Sequence, residues 1–247
     1  MASTVYMRFY AELNDLLPPE KRQVTFTHTF FGQPTVKDLV ESLGIPHTEI
    51  DLILAGEESV GFSYRVRDGD RISVFPVFEA LDIDPIIQVR PHPLREPRFV
   101  LDTHLGKLAS YLRMLGFDTL YQNINSDETL ADISASEHRI LLTRDRGLLK
   151  RSAVTHGYLI RADDPHKQVE EVLSRFDLAG KVKPFRLCMI CNKPLEKVSV
   201  DDVKDEVPPR VRDCVTEYKR CPGCGRVYWK GSHYKKMADF INRLVSG

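Results

Sequence analysis

Apolar and polar positions alternate with a period of two over residues 4–11, TVYMRFYA, which places Val5, Met7 and Phe9 on one face and predicts a strand. The run Gln23-Val24-Thr25-Phe26-Thr27 predicts its hairpin partner. A helical stretch follows at Thr35–Leu43, with Pro34 or Thr35 near its start and Gly44 as its stop. Short strands are expected at Leu52–Leu54 and Arg71–Phe75, the latter entered through the turn Arg67-Asp68-Gly69-Asp70. Two strands, a helix and further strands predict an α+β unit over residues 1–80.

The pattern changes after residue 97. Residues 98–151 read strand, helix, strand, helix, strand, with an acidic residue at nearly every junction. Asp102 closes the apolar run Phe99-Val100-Leu101. Leu105, Leu108, Ala109, Leu112 and Leu115 then recur at helical spacing up to Gly116, leaving Lys107 and Arg113 off the stripe to face solvent or phosphate. Phe117–Tyr121 predicts a second strand, and Asn125 or Ser126 a cap for a helix opened by Asp127 and Glu128. Arg139–Thr143 predicts a third strand, closed by Asp145. Beyond a further helix, Tyr158–Arg161 resumes the sheet and Asp163-Asp164-Pro165 starts a helix with Val169, Val172, Leu173 and Phe176 inward. Such alternation predicts a parallel α/β sheet whose sites gather at the carboxyl ends of its strands. Residues 81–97 hold Pro85, Pro91, Pro93 and Pro97, the density of an extended linker. The expected organisation is therefore 1–80, a linker at 81–97, an α/β unit at 98–180 and a cysteine module at 181–247.

Composition adds bounds. Hydrophobic residues at 42% and charged residues at 28% describe a globular protein. Lys+Arg and Asp+Glu stand at 35 each, so any nucleic-acid binding needs a local basic patch. No apolar run approaches the roughly 18 residues of a membrane span, and the start has no signal-peptide core, so the cytoplasm is the expected compartment. Four of the five cysteines form two Cys-x-x-Cys pairs, Cys188/Cys191 and Cys221/Cys224. Four thiolates at that spacing suit a closed structural Zn²⁺ site, and Cys214 is the spare thiol.

The acids carry the remaining chemistry. Asp127 and Glu128 complement a helix dipole whatever else they do, Asp163 or Asp164 suits a helix cap, and Asp118 suits a solvent-facing strand position. Asp102 and Asp145 each end an apolar strand, where an isolated carboxylate is costly unless paired or metal-bound. Several carboxylates suit Mg²⁺ or Mn²⁺, which activate water and neutralise a leaving oxygen in phosphodiester cleavage. Lys107, Arg113, Arg144 and Arg146 are the candidates for the phosphate backbone. In the run Arg226–Lys236, Trp229, Lys230 and His233 are candidates for contact with RNA, while Tyr228 and Trp229 equally suit packing of the cysteine module.

Two resemblances extend this reading. The order of the first 80 residues and the run V-x-D-G-D-R-I-S-V-F-P resemble ubiquitin-like β-grasp modules related to sulfur carriers. Such carriers end in an activated Gly-Gly, whereas this chain continues through Pro76-Val77-Phe78-Glu79-Ala80, which favours a docking role for an unknown protein partner. The runs L-D-x-x-L-G-K-L-A-x-x-L-R-M-L-G-F-D, S-D-E-T-L and R-I-L-L-T-R-D-R-G-L-L resemble the Mut-seven C-terminal ribonuclease family, a PIN-like nuclease branch with a zinc ribbon. The resemblance covers about residues 98–240. It implies a metal-dependent RNase site to which Asp102, Asp127 and Asp145 correspond, with Glu128, Asp163 and Asp164 open as a fourth acid. The rival expectations are a non-catalytic RNA-binding or adaptor protein led by the ribbon, and an interaction scaffold led by the β-grasp module.

Overall fold

The structure is a computed structural model that describes residues 2–76, 97–123, 126–212 and 214–246. The proline-rich linker lies outside these residues except for Pro97, as does Asn125.

Strand β1 (Ala2–Phe9) pairs antiparallel with β2 (Phe26–Phe31), with Tyr6 opposite Thr27. The hairpin is looser than its sequence suggests. Gln23 sits at φ +57, its N–H donates to Asn14 Oδ1 at 2.6 Å, and the paired strand begins at Phe26. The intervening turns bury Leu13, Leu16 and Leu17. Helix α1 (Val36–Ser42) opens with a capping box: Asp38 N–H bonds Thr35 Oγ1, and the Thr35 N–H and hydroxyl bond Asp38 Oδ2. Strands β3 (Ile50–Ala55), β4 (Glu58–Ser59) and β5 (Arg71–Pro76) complete a mixed sheet in the order β2-β1-β5-β3-β4, with β1 and β5 parallel at its centre. Val5, Met7 and Phe9 face the core together with Val36, Val40, Ile53, Ile72 and Val74. The opposite face carries Tyr6, Arg8 and Tyr10, and the Tyr10 ring stacks on Phe75 at 4.2 Å.

The expected α/β alternation follows, as β6 (Phe99–Leu101), α2 (Gly106–Met114), β7 (Thr119–Tyr121), α3 (Asp127–Ser136), β8 (Ile140–Thr143), α4 (Arg146–Leu149), β9 (Gly157–Leu159) and α5 (Pro165–Arg175). Strands β6 and β7 are parallel, as are β8 and β9. Every residue of β6, β8 and β9 is buried, which suits their largely apolar sequences. The cysteine module adds β10 (Glu196–Val198), α6 (Pro209–Arg212), β11 (Tyr218–Arg220), β12 (Val227–Trp229) and α7 (Ser232–Ser246). Strands β10, β11 and β12 form an antiparallel sheet in that order.

The described residues pack as two compact units, one of residues 2–76 and 126–159 and the other of residues 97–123 and 160–246. Packing thus cuts across the 98–180 stretch. Within the first unit the N-terminal sheet is fastened to the β8–β9 pair by polar bonds. Glu49, 1% exposed, accepts the Leu159 N–H at 2.7 Å, and His47 Nε2 donates to the Val154 carbonyl at 3.0 Å. Lys150 Nζ donates to the Glu41 carbonyl at 2.5 Å. Within the second unit, residues 196–212 are mostly exposed, as their charge implies, yet they contribute buried side chains to the ribbon. Val203 and Val207 bury against Tyr218, and Val198, Val211, Val215, Val227 and Trp229 pack around them. A valine every few residues among charges is enough to give the ribbon a small core of its own.

Candidate metal centre and acidic residues

The two cysteine knuckles are the same turn built twice. In the first, Cys188 N–H donates to the Lys193 carbonyl and Asn192 N–H to the Cys188 carbonyl; in the second, Cys221 N–H donates to Arg226 and Gly225 N–H to Cys221. Each needs a left-handed residue after its second cysteine, filled by Asn192 at φ +67 and Gly225 at φ +73. The result brings Cys188, Cys191, Cys221 and Cys224 together with all four Sγ atoms within 4.8 Å of one another. Cys188 Sγ lies 3.6 Å from Cys224 Sγ, and Cys191 Sγ 3.3 Å from Cys221 Sγ. Tetrahedral thiolates about 2.3 Å from Zn²⁺ stand roughly 3.8 Å apart, so the four side chains fit a structural zinc ion. Cys214 is exposed and outside the cluster.

The surroundings favour thiolates. Burial pushes the Cys188 thiol up, but bonds from the Tyr228 hydroxyl, at 3.1 Å, and from the amides of Cys191 and Ile190 outweigh it and bring it down to about 6. Burial instead drives Cys191 up to about 12, so without a cation these sulfurs do not all ionise at neutral pH. Arg113 supplies the nearby positive charge. It is 4% exposed, and its guanidinium donates to the carbonyls of Thr119 at 2.9 Å, Met189 at 3.2 Å and Ile190 at 2.6 Å. The helical stripe left Arg113 free for phosphate; in the structure it anchors the first knuckle. Asn192 does the same with its side chain, accepting Thr119 N–H at 3.0 Å and donating to Asp118 Oδ1 at 2.5 Å. Asp118, half-buried, is thereby a hydrogen-bond acceptor that holds the first knuckle.

The acids fall in both compact units. Asp102, in the second, ends β6 at 9% exposure and accepts the Thr103 hydroxyl at 2.9 Å. Tyr121 Oη donates to the Thr103 carbonyl at 2.8 Å, and a Cβ on Gly106 would sit 2.6 Å from Tyr121 Oη, so a side chain there would displace the tyrosine that ties down the loop after Asp102. Lys107 and His104 are exposed on this loop and the helix it enters. Asp145, in the first unit, departs from expectation. It lies past the buried end of β8, is exposed, and caps α4 by accepting Gly147 N–H at 2.6 Å, while Thr143 Oγ1 accepts its own N–H at 2.9 Å. The burial argument made from sequence therefore holds for Asp102 and not for Asp145.

Asp127 and Glu128 are exposed in the first turn of α3, which Ser126 caps through Thr129 N–H. Asp164 caps α5: amide bonds from Lys167 and His166 hold its carboxyl below the usual range. Asp163 is exposed beside it. Arg144 is exposed, and Arg146 reaches the Leu16 carbonyl at 3.4 Å. Trp229 is half-buried on the valine core, Lys230 pairs with Glu217 at 2.6 Å, and His233 is exposed in the first turn of α7. Among the described residues, the four cysteines are the one set of three or more Cys, His, Asp or Glu side chains within reach of a shared ion. Also among them, no helix is long and apolar enough to cross a membrane.

No curated protein and no solved structure matches this chain. Two family models do. The Mut7-C ubiquitin model matches residues 2–82, the stretch that forms the mixed sheet. The Mut7-C RNAse domain model matches residues 97–241, taking in the parallel strand pairs, Asp102, Asp127, Asp145 and all four zinc-competent cysteines. That match spans well over half of the residues, and the chain belongs to the Mut7-C RNAse domain family.

Proposed function

We propose that the chain is a divalent-metal-dependent ribonuclease that hydrolyses RNA phosphodiesters, with Asp102, Asp127 and Asp145 as its metal-holding acids. The observation that carries this reading is Asp102: a carboxylate buried at the carboxyl end of a parallel strand, inside the stretch matched by an RNase family. A buried carboxylate is retained at a cost unless charge or hydrogen bonds offset it. Bound Mg²⁺ or Mn²⁺ supplies the activated water and neutralises the leaving oxygen. Thr103 orients the Asp102 carboxylate, and the Gly147 amide orients that of Asp145. Lys107 and Arg144, both exposed, bind the phosphates flanking the scissile bond. Arg113 leaves that set, because it is buried on the first knuckle, whereas Arg146 is exposed and donates one N–H to the Leu16 carbonyl. Asp164 serves as a helix cap, which leaves Glu128 and Asp163 as the fourth acid. Zinc is structural, and RNA is the partner. Unpaired thiols and a thiolate zinc site suit a reducing compartment such as the cytoplasm.

Loss of one metal-holding carboxylate removes several kcal/mol of transition-state stabilisation, so Asp102→Asn and Asp145→Asn should each slow Mg²⁺- or Mn²⁺-dependent RNA cleavage by at least about a hundredfold. Folded variants that cut RNA at the unaltered rate would sink the assignment. If the wild-type chain retains RNA but cuts it under no divalent metal, the non-catalytic adaptor reading takes its place.

A further inference from the structure

The second compact unit contains a cleft of about 410 Å³ between the ribbon sheet and α7, walled by Phe185, Met189, Tyr228, Trp229, Tyr234 and Met237. The volume lies in the range of roughly 300–1,000 Å³ typical of small-ligand pockets. Strand register explains its chemistry. Val198, Tyr218 and Trp229 lie on the sheet face that meets the valine core. The other face places Lys197 opposite Lys219, and Lys219 opposite Tyr228, and all three line the cleft. Like charges directly across a strand pair are destabilising, so the row favours an anion nearby. Lys230 adds a third cation to the rim, against the single carboxylate of Glu217. Lys230 already pairs with Glu217, and Lys219 donates to the Phe185 carbonyl at 2.9 Å, which leaves exposed Lys197 at the mouth as the readiest contact for phosphate.

We infer that this cleft is a base-binding subsite for single-stranded RNA, holding one unstacked nucleobase against its aromatic wall while Lys197 and Lys230 take the adjoining phosphates. An aromatic interior with a cationic mouth matches a nucleotide, apolar on its base faces and anionic at its backbone. The Phe185 and Tyr234 rings lie 4.5 Å apart at the wall, and the Tyr228 hydroxyl reaches Cys188, so the zinc knuckle also fixes one side of the cleft. The inference rests on the ribonuclease reading for its choice of RNA, but the cleft holds none of the acids proposed for cleavage.

Trp229 is the one tryptophan of the chain; it lines the cleft and also packs on the valine core, so variants at Lys197 and Ala238 tie its emission to the cleft. In the zinc-loaded full chain without added Mg²⁺ or Mn²⁺, the hexanucleotide oligo(A) and adenosine 5′-monophosphate should quench Trp229 saturably, whereas ribose 5-phosphate should not. Lys197→Glu, at an exposed site, should weaken oligo(A) at least fivefold and flatten its salt dependence by about one unit of slope. Ala238→Phe, which fills the cleft from α7, should abolish quenching by both nucleotides at an unaltered zinc content. Unchanged Trp229 emission on adding oligo(A), in a chain that still cuts RNA, overturns the subsite and leaves the ribonuclease standing. Quenching by an amphipathic Leu/Lys peptide but not by oligo(A) overturns it in favour of a protein-docking surface. Saturable quenching by oligo(A) in a chain that never cuts RNA supports the subsite and removes the ribonuclease reading instead.

Discussion

A guanidinium facing three carbonyls has no substitute of equal reach. Arg113 spans the end of α2, the Thr119 carbonyl and the first knuckle with one planar fork, beside sulfurs that carry negative charge when metal is bound. Lysine carries its three donors on one nitrogen and lacks the planar fork that spans these carbonyls, so it leaves part of the set unsatisfied. Arg113→Lys should therefore cost about 2–4 kcal/mol, seen as a lower denaturation midpoint and faster zinc loss to a chelator. A variant with unaltered zinc off-rate would show that Arg113 does not hold the knuckle. Helical spacing could not reveal this role. The stripe Leu105, Leu108, Ala109, Leu112, Leu115 records what α2 buries locally, whereas the cover over Arg113 comes from Met189, 76 residues downstream. Asp145 fails to meet expectation for a related reason. The apolar run before it marks a buried strand, but burial stops at Thr143, and Arg144 and Asp145 emerge into solvent.

At the scale of elements, the best-read features were those that depend on local chemistry. The start of α1, the Ser126 and Asp164 caps and the two Cys-x-x-Cys turns all follow from hydrogen bonds closed within five residues, through side chains at the caps and backbone at the turns. The helix α1 cap carries a pH signature. Thr35 side-chain and backbone bonds hold the Asp38 carboxyl below its ordinary 3.8. A depressed carboxylate contributes stability that is present above the unfolded value and lost as pH falls through the folded value. Thr35→Ala should thus cost about 1 kcal/mol at neutral pH, with the gap to wild type narrowing below pH 3.8 in urea unfolding of the N-terminal sheet. A gap that stays constant down to pH 2 would exclude the Asp38 carboxylate from the cap. The knuckles give a second contrast. Gly225→Ala meets no atom within 4 Å and should cost only its left-handed backbone, about 1 kcal/mol. Asn192→Gly keeps the backbone but removes the bonds to Thr119 and Asp118, so it should loosen the knuckle at least as much. Equal zinc affinity for wild type and Asn192→Gly would make those bonds incidental.

For the whole molecule, the order of elements was legible and their grouping was not. Period and punctuation place strands and helices along the chain, but His47, Glu49 and Lys150 join the N-terminal sheet to residues more than 100 positions away, through bonds that leave no periodic trace. The same limit hid the valine core of the ribbon, whose members are scattered among charges. That core is small, with three fully packed residues, so the ribbon should depend on a metal at its four cysteines more than a larger domain would. Stripping zinc should erase hydrogen-exchange protection in β10, β11 and β12 while leaving the amides of β1 and β5 protected, because their core of Val5, Met7, Ile72 and Val74 needs no ion. Cys191→Ser should mimic the stripped chain, and Cys214→Ser, at an exposed position outside the cluster, should bind zinc as wild type does. Ribbon amides that remain protected after complete zinc release would mean that the valine core holds the module unaided, and the four sulfurs would then need a different reason to stand together.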